Sequence, residues 1–324
     1  MMARSLKLLL VLQLLAAGGV WLALRGRWHL GPLDAAPLLA LALLLAVRAL
    51  ITANNFWLSW LYRSATPAAY RLSPLARCRL FFGEFAATML SSSWTMVWPR
   101  VPAYSAPTAA SLPVLLVHGY VCNRGYWAAL SRRLTQAGIS HDAVDLEPVG
   151  ASIDAFVPLL QRAVDALCAS SGSAQVIVVA HSMGGLAARA YLRRHGDARI
   201  ARVITLGSPH HGTDLASLAG SLLPGQCPTA CAELAPNSDL LTRLNARTMP
   251  AGPVWVSVWT EQDQVVTPPD SARLDGAVNI PVQSICAGAQ LDHGNLPRDP
   301  VVQSLVLTAL APARPTAPTT CPTP

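Results

Sequence analysis

Residues 175–194 constrain this chain most. An apolar run at 175–180 passes directly into His181-Ser182-Met183-Gly184-Gly185, and that into LAARAYLRR. A short continuous apolar run reads as a strand buried on both faces, and the segment after it reads as a helix. The residues between them must therefore turn the chain within one sharp corner. Such a corner needs small residues two before and two after its apex. Ala180 and Gly184 occupy those positions around Ser182. Glycine is commoner at the first of them, but alanine is small enough.

A strand buried on both faces needs neighbours. From residue 111 onward, apolar runs at 113–117, 140–146, 175–180, 201–206, 253–259 and 281–286 alternate with segments of helical length, such as 127–137, 153–169 and 183–194. This alternation predicts an α/β domain over 111–311, a mainly parallel sheet with helices on both faces. Residues 213–252 contain no strand pattern, as expected of a cap or lid. Leu215, Leu218, Leu222 and Leu223 within it suit an acyl-chain wall and equally suit ordinary packing. The Pro/Thr-rich tail at 312–324 is expected to be disordered.

The first 62 residues have a different character. Residues 8–24 carry no charge and are flanked by Arg4, Lys7, Arg25 and Arg27. A second apolar stretch, 35–53, is interrupted only by Arg48 and followed by Trp57, Trp60 and Tyr62. Two such stretches predict a transmembrane helical hairpin with an interfacial aromatic belt, Arg48 snorkelling to one end. A cleavable signal peptide competes for the first stretch, but no polar region follows its small residues. Residues 63–110 show no clear period and are expected to be a connector. The net charge of +7 comes from scattered arginines without a basic run, which argues against nucleic-acid binding. Seven irregularly spaced cysteines form no disulfide framework, and whether the close pair Cys227 and Cys231 is bridged stays open.

A serine at a strand–helix corner becomes a nucleophile only with a histidine base oriented by a carboxylate. Where the corner is of this type, the acid and then the histidine follow in chain order. Asp263 lies just past the run 253–259, with Glu261, Asp270 and Asp275 as competitors. His293 is the only histidine after His211. The tetrahedral intermediate also needs N–H donors. Met183, after the serine, offers one, and Tyr120, in the loop after the run 113–117, offers the other. Gly119 lets that loop turn, and His118 reads as a residue packing it rather than a base.

Together the segments PVLLVHGY, VVAHSMGG, TLGSPHHGT at 205–213, TEQDQVVTP and HGNLPRDP resemble bacterial lipases and esterases of the α/β-hydrolase superfamily over about residues 112–311. The resemblance implies an α/β-hydrolase fold and hydrolysis of carboxylic esters by an acyl-enzyme route. Ser182 would attack, His293 would shuttle the proton and Asp263 would hold the imidazolium. His210 and His211 would support the site structurally. The expected substrate is a hydrophobic ester or lipid, with no cofactor and no metal. A thioesterase, amidase or acyltransferase would use the same three residues, and a noncatalytic interaction protein would keep only the fold. The expected location is a bacterial inner (cytoplasmic) membrane. Neither the side on which the hydrolase domain works nor the oligomeric state is specified.

Overall fold

The computed structural model describes residues 1–28, 36–62, 66–107, 111–222, 225–246, 252–311 and 320–321. Six strands, β1 (Val114–Val117), β2 (His141–Val144), β3 (Val176–His181), β4 (Ile200–Leu206), β5 (Val254–Trp259) and β6 (Val278–Pro281), form one sheet in the order β2-β1-β3-β4-β5-β6. Every neighbouring pair is parallel. All four residues of β1 and all six of β3 are buried, as expected for a parallel sheet covered on both faces.

The two-residue strand period divides the interior into two layers. Leu115, Val117, Val178 and Ala180 point to the side covered by α5 (Val157–Ser171) and α6 (Met183–His195). Val114, Leu116, Ile177 and Val179 point to the side covered by α4 (Ala128–Gln136) and α11 (Pro300–Leu310). Leu130 and Leu134 of α4 are fully enclosed, each contributing roughly 1.5–3 kcal/mol of burial. Between β4 and β5 the chain forms α7 (Asp214–Leu222), α8 (Thr229–Glu233) and α9 (Asp239–Asn245). Leu240 and Leu241 of α9 join the first layer, while Leu222 is exposed and Leu223 lies outside the described residues.

Two long N-terminal helices, α1 (Met2–Trp28) and α2 (Ala36–Tyr62), pack against each other. Each contains a span apolar and long enough to cross a membrane, Met2–Ala23 and Leu41–Tyr62. Most of their large apolar side chains are exposed, among them Leu8, Leu12, Leu15, Leu50, Ile51, Trp57 and Trp60. The start of α1 docks on the second of the two layers. Met2 and Leu6 are buried there, and the Met2 N–H donates to Glu147 Oε1 at 2.8 Å.

At four points the structure adds to or departs from the local expectations. Residues 74–90, inside the expected connector, form α3 (Pro74–Leu90), continued by a π-helical turn at Ser91–Thr95. Ser73 caps α3 through Ala76 N–H, and Pro74 fits its first position. Its period was hard to see because it has two apolar faces: Leu80 and Ala87 are buried, while Leu75, Phe82 and Leu90 are exposed. Arg48 is not near an end of its helix. It stands midway along α2, with Nη1 donating to Ser92 and Ser93 Oγ at 2.7 and 2.8 Å and Nη2 to Gln13 Oε1 at 3.1 Å. The run 281–286 is not a strand, because Pro281 ends β6 and residues 282–285 form the short helix α10 (Val282–Ile285). Finally, a disulfide does exist, between Cys286 and Cys321, whereas Cys227 and Cys231 are both free thiols. Apart from 320–321, the expected disordered tail lies outside the described residues.

Candidate active site

β3 delivers Ser182 to the first turn of α6. The corner is strained, since Ser182 has φ 54° and ψ −128°, a region that non-glycine residues avoid. Neighbouring elements hold it there. Ser182 N–H donates to Leu206 O at 2.9 Å, and Ala180 lies fully buried between Val117 and Thr205 of the adjacent strands. Gly184 must lack a side chain, because a Cβ there would lie 2.5 Å from Val117 O and 2.7 Å from His118 O. The strain and the small residues thus have one cause: α6 starts directly against the end of β1.

The loop after β1 closes over the serine. A Cβ on Gly119 would lie 2.8 Å from Ser182 Cβ, so backbone and serine are in direct contact. His118 Nε2 accepts from Leu146 N–H at 3.0 Å, which leaves Nδ1 to donate to Gly119 O at 2.9 Å. Both ring nitrogens of this buried, neutral histidine therefore serve to shape the loop, and burial lowers its pKa. Tyr120 is half-buried beside it, and Met183 is buried at the first position of α6.

The acid and histidine loops meet at the other side. Asp263 Oδ1 accepts from the N–H groups of Val265 and Val266, both at 2.8 Å. Its Oδ2 accepts from His293 Nδ1 at 2.8 Å. The three competing acids are placed elsewhere: Asp270 and Asp275 are exposed, and Glu261 is half-buried, its pKa raised by burial. Burial pulls the His293 imidazole down, but the charge of Asp263, its hydrogen bond and the nearby Glu84 reverse this, and the net pKa is raised.

This pair adjoins the serine corner by two routes. Leu206, bonded to Ser182 N–H, is followed by Gly207, where a Cβ would be 3.1 Å from His293 Nδ1 and 3.3 Å from Asp263 Oδ2. His181, next to Ser182, packs its ring on His293 with centroids 4.5 Å apart. Burial drives the His181 pKa far down, so it is a neutral spacer. His210 is buried with Nε2 against Thr205 Oγ1 at 3.2 Å, whereas His211 is exposed. Among the described residues, no cluster of His, Cys, Asp and Glu could hold a metal ion.

Several residues of this neighbourhood had no local signal. Tyr126 Oη lies 3.0 Å from His181 Nε2 and 3.2 Å from Gly294 O. Asp292 Oδ1 accepts from His293 N–H at 2.6 Å and Gln264 N–H at 2.9 Å. Burial, with Glu84 and Asp263 nearby, pushes its carboxyl well above the usual carboxylate range. Glu84 reaches the same turn from α3, 210 positions away in the chain. Only Gly207 could have been noticed, as part of the segment 205–213.

Comparison with known proteins agrees with this architecture. A family model described as alpha/beta hydrolase fold matches residues 113–243. The mature form of the Bacillus licheniformis lipase BlEst2 superimposes with a TM-score of 0.54 at 21% identity, covering 64% of this chain and 96% of that one. Its propeptide form gives 0.57 at 21% identity, covering 68% of this chain and 54% of that one. Aspergillus fumigatus lipase B gives 0.54 at 19% identity, covering 63% and 53%. The chain thus spans about half the length of the last two. The fold is that of an α/β-hydrolase, a parallel sheet flanked by helices.

Proposed function

We propose that this chain is a membrane-associated serine hydrolase that cleaves carboxylic esters of hydrophobic alcohols or acids, an esterase or lipase. The observation that carries the reading is the buried 2.8 Å Asp263–His293 pair set against a strained Ser182 corner. In the proposed reaction His293 takes the Ser182 hydroxyl proton as Oγ attacks the ester carbonyl. The oxyanion is met by the N–H groups of Met183 and Tyr120, the former aided by the N-terminal dipole of α6. The C–O bond then breaks as His293 protonates the departing alcohol. Water, deprotonated by the same histidine, releases the acid. Asp263 keeps Nδ1 protonated and stabilises the imidazolium formed in each half-reaction.

Lipases are among the structural neighbours, and the chain's own surface favours a hydrophobic substrate. α1 and α2 would anchor residues 1–62 in the bilayer, and further apolar side chains are exposed on α3 (Leu75, Phe82, Leu90) and in and after the turn that follows it (Trp94, Trp98). The strand-free helices α7–α9 would form the cap. The Cys286–Cys321 disulfide belongs to an oxidising compartment. It favours the non-cytoplasmic side.

A fluorophosphonate probe tests the reading. Wild type should be labelled and Ser182→Ala should not; a folded wild type that stays unlabelled refutes it. A chain-length series of p-nitrophenyl esters then separates esterase from lipase. Recovery of the full chain in the soluble fraction without detergent would refute the anchor.

A further inference from the structure

Glu84 is the least expected residue near the site. It sits on the inward face of α3 between Leu80 and Ala87, where a helix presents its apolar stripe, and it is buried. A carboxyl there loses its hydration, so something must compensate. Oε1 accepts from Gly294 N–H at 3.2 Å and from Thr88 Oγ1 at 3.4 Å, while Oε2 is buried without a partner. The contact with the histidine turn is tight: a Cβ on Gly294 would lie 2.2 Å from Oε1.

Neighbouring contacts show that α3 is fastened to this turn. Arg298, just beyond the turn, donates from Nη2 to Ser91 Oγ at 2.6 Å at the end of α3. Tyr126 Oη lies 3.2 Å from Gly294 O. The charged and titratable groups facing Glu84 are His293, Asp263 and Asp292 from the acid and histidine loops, and Arg298 and Tyr126 beside them.

We infer that Glu84 is a positioning residue for His293: α3 brings a second carboxyl to the histidine turn, fixes that turn through Gly294 N–H, and places negative charge near the imidazole. This rests on the reading of Ser182, Asp263 and His293 as the catalytic residues. It makes the segment between the two apolar helices and the hydrolase domain part of the catalytic unit. Burial raises the Glu84 pKa to about 7, with His293 opposing that rise, so the carboxyl changes charge where a histidine base also titrates. Two interacting groups of this kind titrate as a pair rather than singly.

The test uses the full chain in detergent micelles, with a soluble p-nitrophenyl ester, and compares wild type, Glu84→Gln and Glu84→Ala. Gln keeps an oxygen for Gly294 N–H and loses the charge; Ala loses both. Glu84→Ala should lower kcat about tenfold with little change in KM, as for a displaced base. Glu84→Gln should recover most of kcat near neutrality. Its acid limb of kcat/KM should move to lower pH by about half a unit or more and narrow to a single proton, because His293 loses a nearby negative charge.

An unshifted acid limb in Glu84→Gln, or wild-type kcat in Glu84→Ala, overturns the inference. So does a loss in Glu84→Gln equal to that in Glu84→Ala, since hydrogen-bond rescue is then absent. Thermal melts of both variants exclude misfolding, and the near-isosteric Gln variant remains informative if Ala does not fold. Fluorophosphonate labelling separates the two readings. If wild type labels and Ser182→Ala does not, an unshifted limb overturns the Glu84 role alone; if wild type never labels, both fall.

Discussion

Replacing Gly207 by alanine disturbs the Asp263–His293 pair without altering either residue. Gly207 follows β4 at φ +57°, where an alanine costs about 1–2 kcal/mol of backbone strain. The new Cβ would meet Leu296 Cδ1 at 2.7 Å, His293 Nδ1 at 3.1 Å and Asp263 Oδ2 at 3.3 Å. Leucine's terminal methyl can rotate aside, but the two polar atoms belong to a hydrogen bond already at 2.8 Å. They must recede together by a few tenths of an ångström or separate. A bond between charged partners contributes about 1.5–3 kcal/mol, so losing half of it removes roughly 1 kcal/mol of transition-state support. Gly207→Ala should therefore lower kcat/KM about fivefold, equivalent to about 1 kcal/mol, mainly through kcat. Its melting temperature should fall by about 2–8 °C for 1–2 kcal/mol in a domain of this size. The assay is initial-rate hydrolysis of a short p-nitrophenyl ester beside a thermal melt. A folded variant with kcat/KM within twofold of wild type would refute the placement of the pair behind Gly207. A loss confined to KM would mean that this glycine shapes the substrate pocket instead.

Three further outcomes follow from the same geometry. Asp263→Asn retains an oxygen for Val265 and Val266 N–H but no longer enforces the Nδ1 proton; kcat should fall about 10⁴-fold with the fold intact, and a fall below tenfold would contradict its role. Glu84 titrates at about 7 in the fold against an ordinary 4.5, so the native state holds the proton more tightly than the unfolded chain. Glu84 should consequently contribute about 3 kcal/mol to a decline of wild-type stability as pH rises from about 4.5 through about 7, and the decline in Glu84→Gln should be shallower by that amount. Denaturation curves at pH 5 and 8 that show equal declines in the two proteins would exclude this. Seven cysteines with one disulfide predict five alkylatable thiols in the unreduced, denatured protein and seven after reduction. Finding seven before reduction would remove the bond and the compartment argument together.

Local pattern was enough for the scaffold. The apolar runs that became β1, β3, β4 and β5 were legible because a strand buried on both faces needs a continuous apolar stretch, whatever its neighbours. The corner at Ser182 was legible because Ala180 and Gly184 are small for a steric reason confined to a few residues. Asp263 could be named from its position just past β5, and His293 because it is the only histidine after His211. The run 281–286 misled because apolar composition does not distinguish a strand from a helical turn, and Pro281 decided the matter by ending the ladder.

What composition could not reveal depends on groups distant in the chain. The pairing of Cys286 with Cys321, the binding of Arg48 by Gln13, Ser92 and Ser93, and the approach of Glu84 to Gly294 each require surfaces that exist only after packing. α3 shows the reason most directly. Its two apolar faces conceal one another in the sequence, and only the folded chain determines which covers the histidine turn and which remains exposed. Sequence alone determined the sheet and the serine corner, because short-range sterics and periodicity suffice for those. The tertiary structure decided that the N-terminal region reaches the histidine, because a contact across 210 positions leaves no local signature.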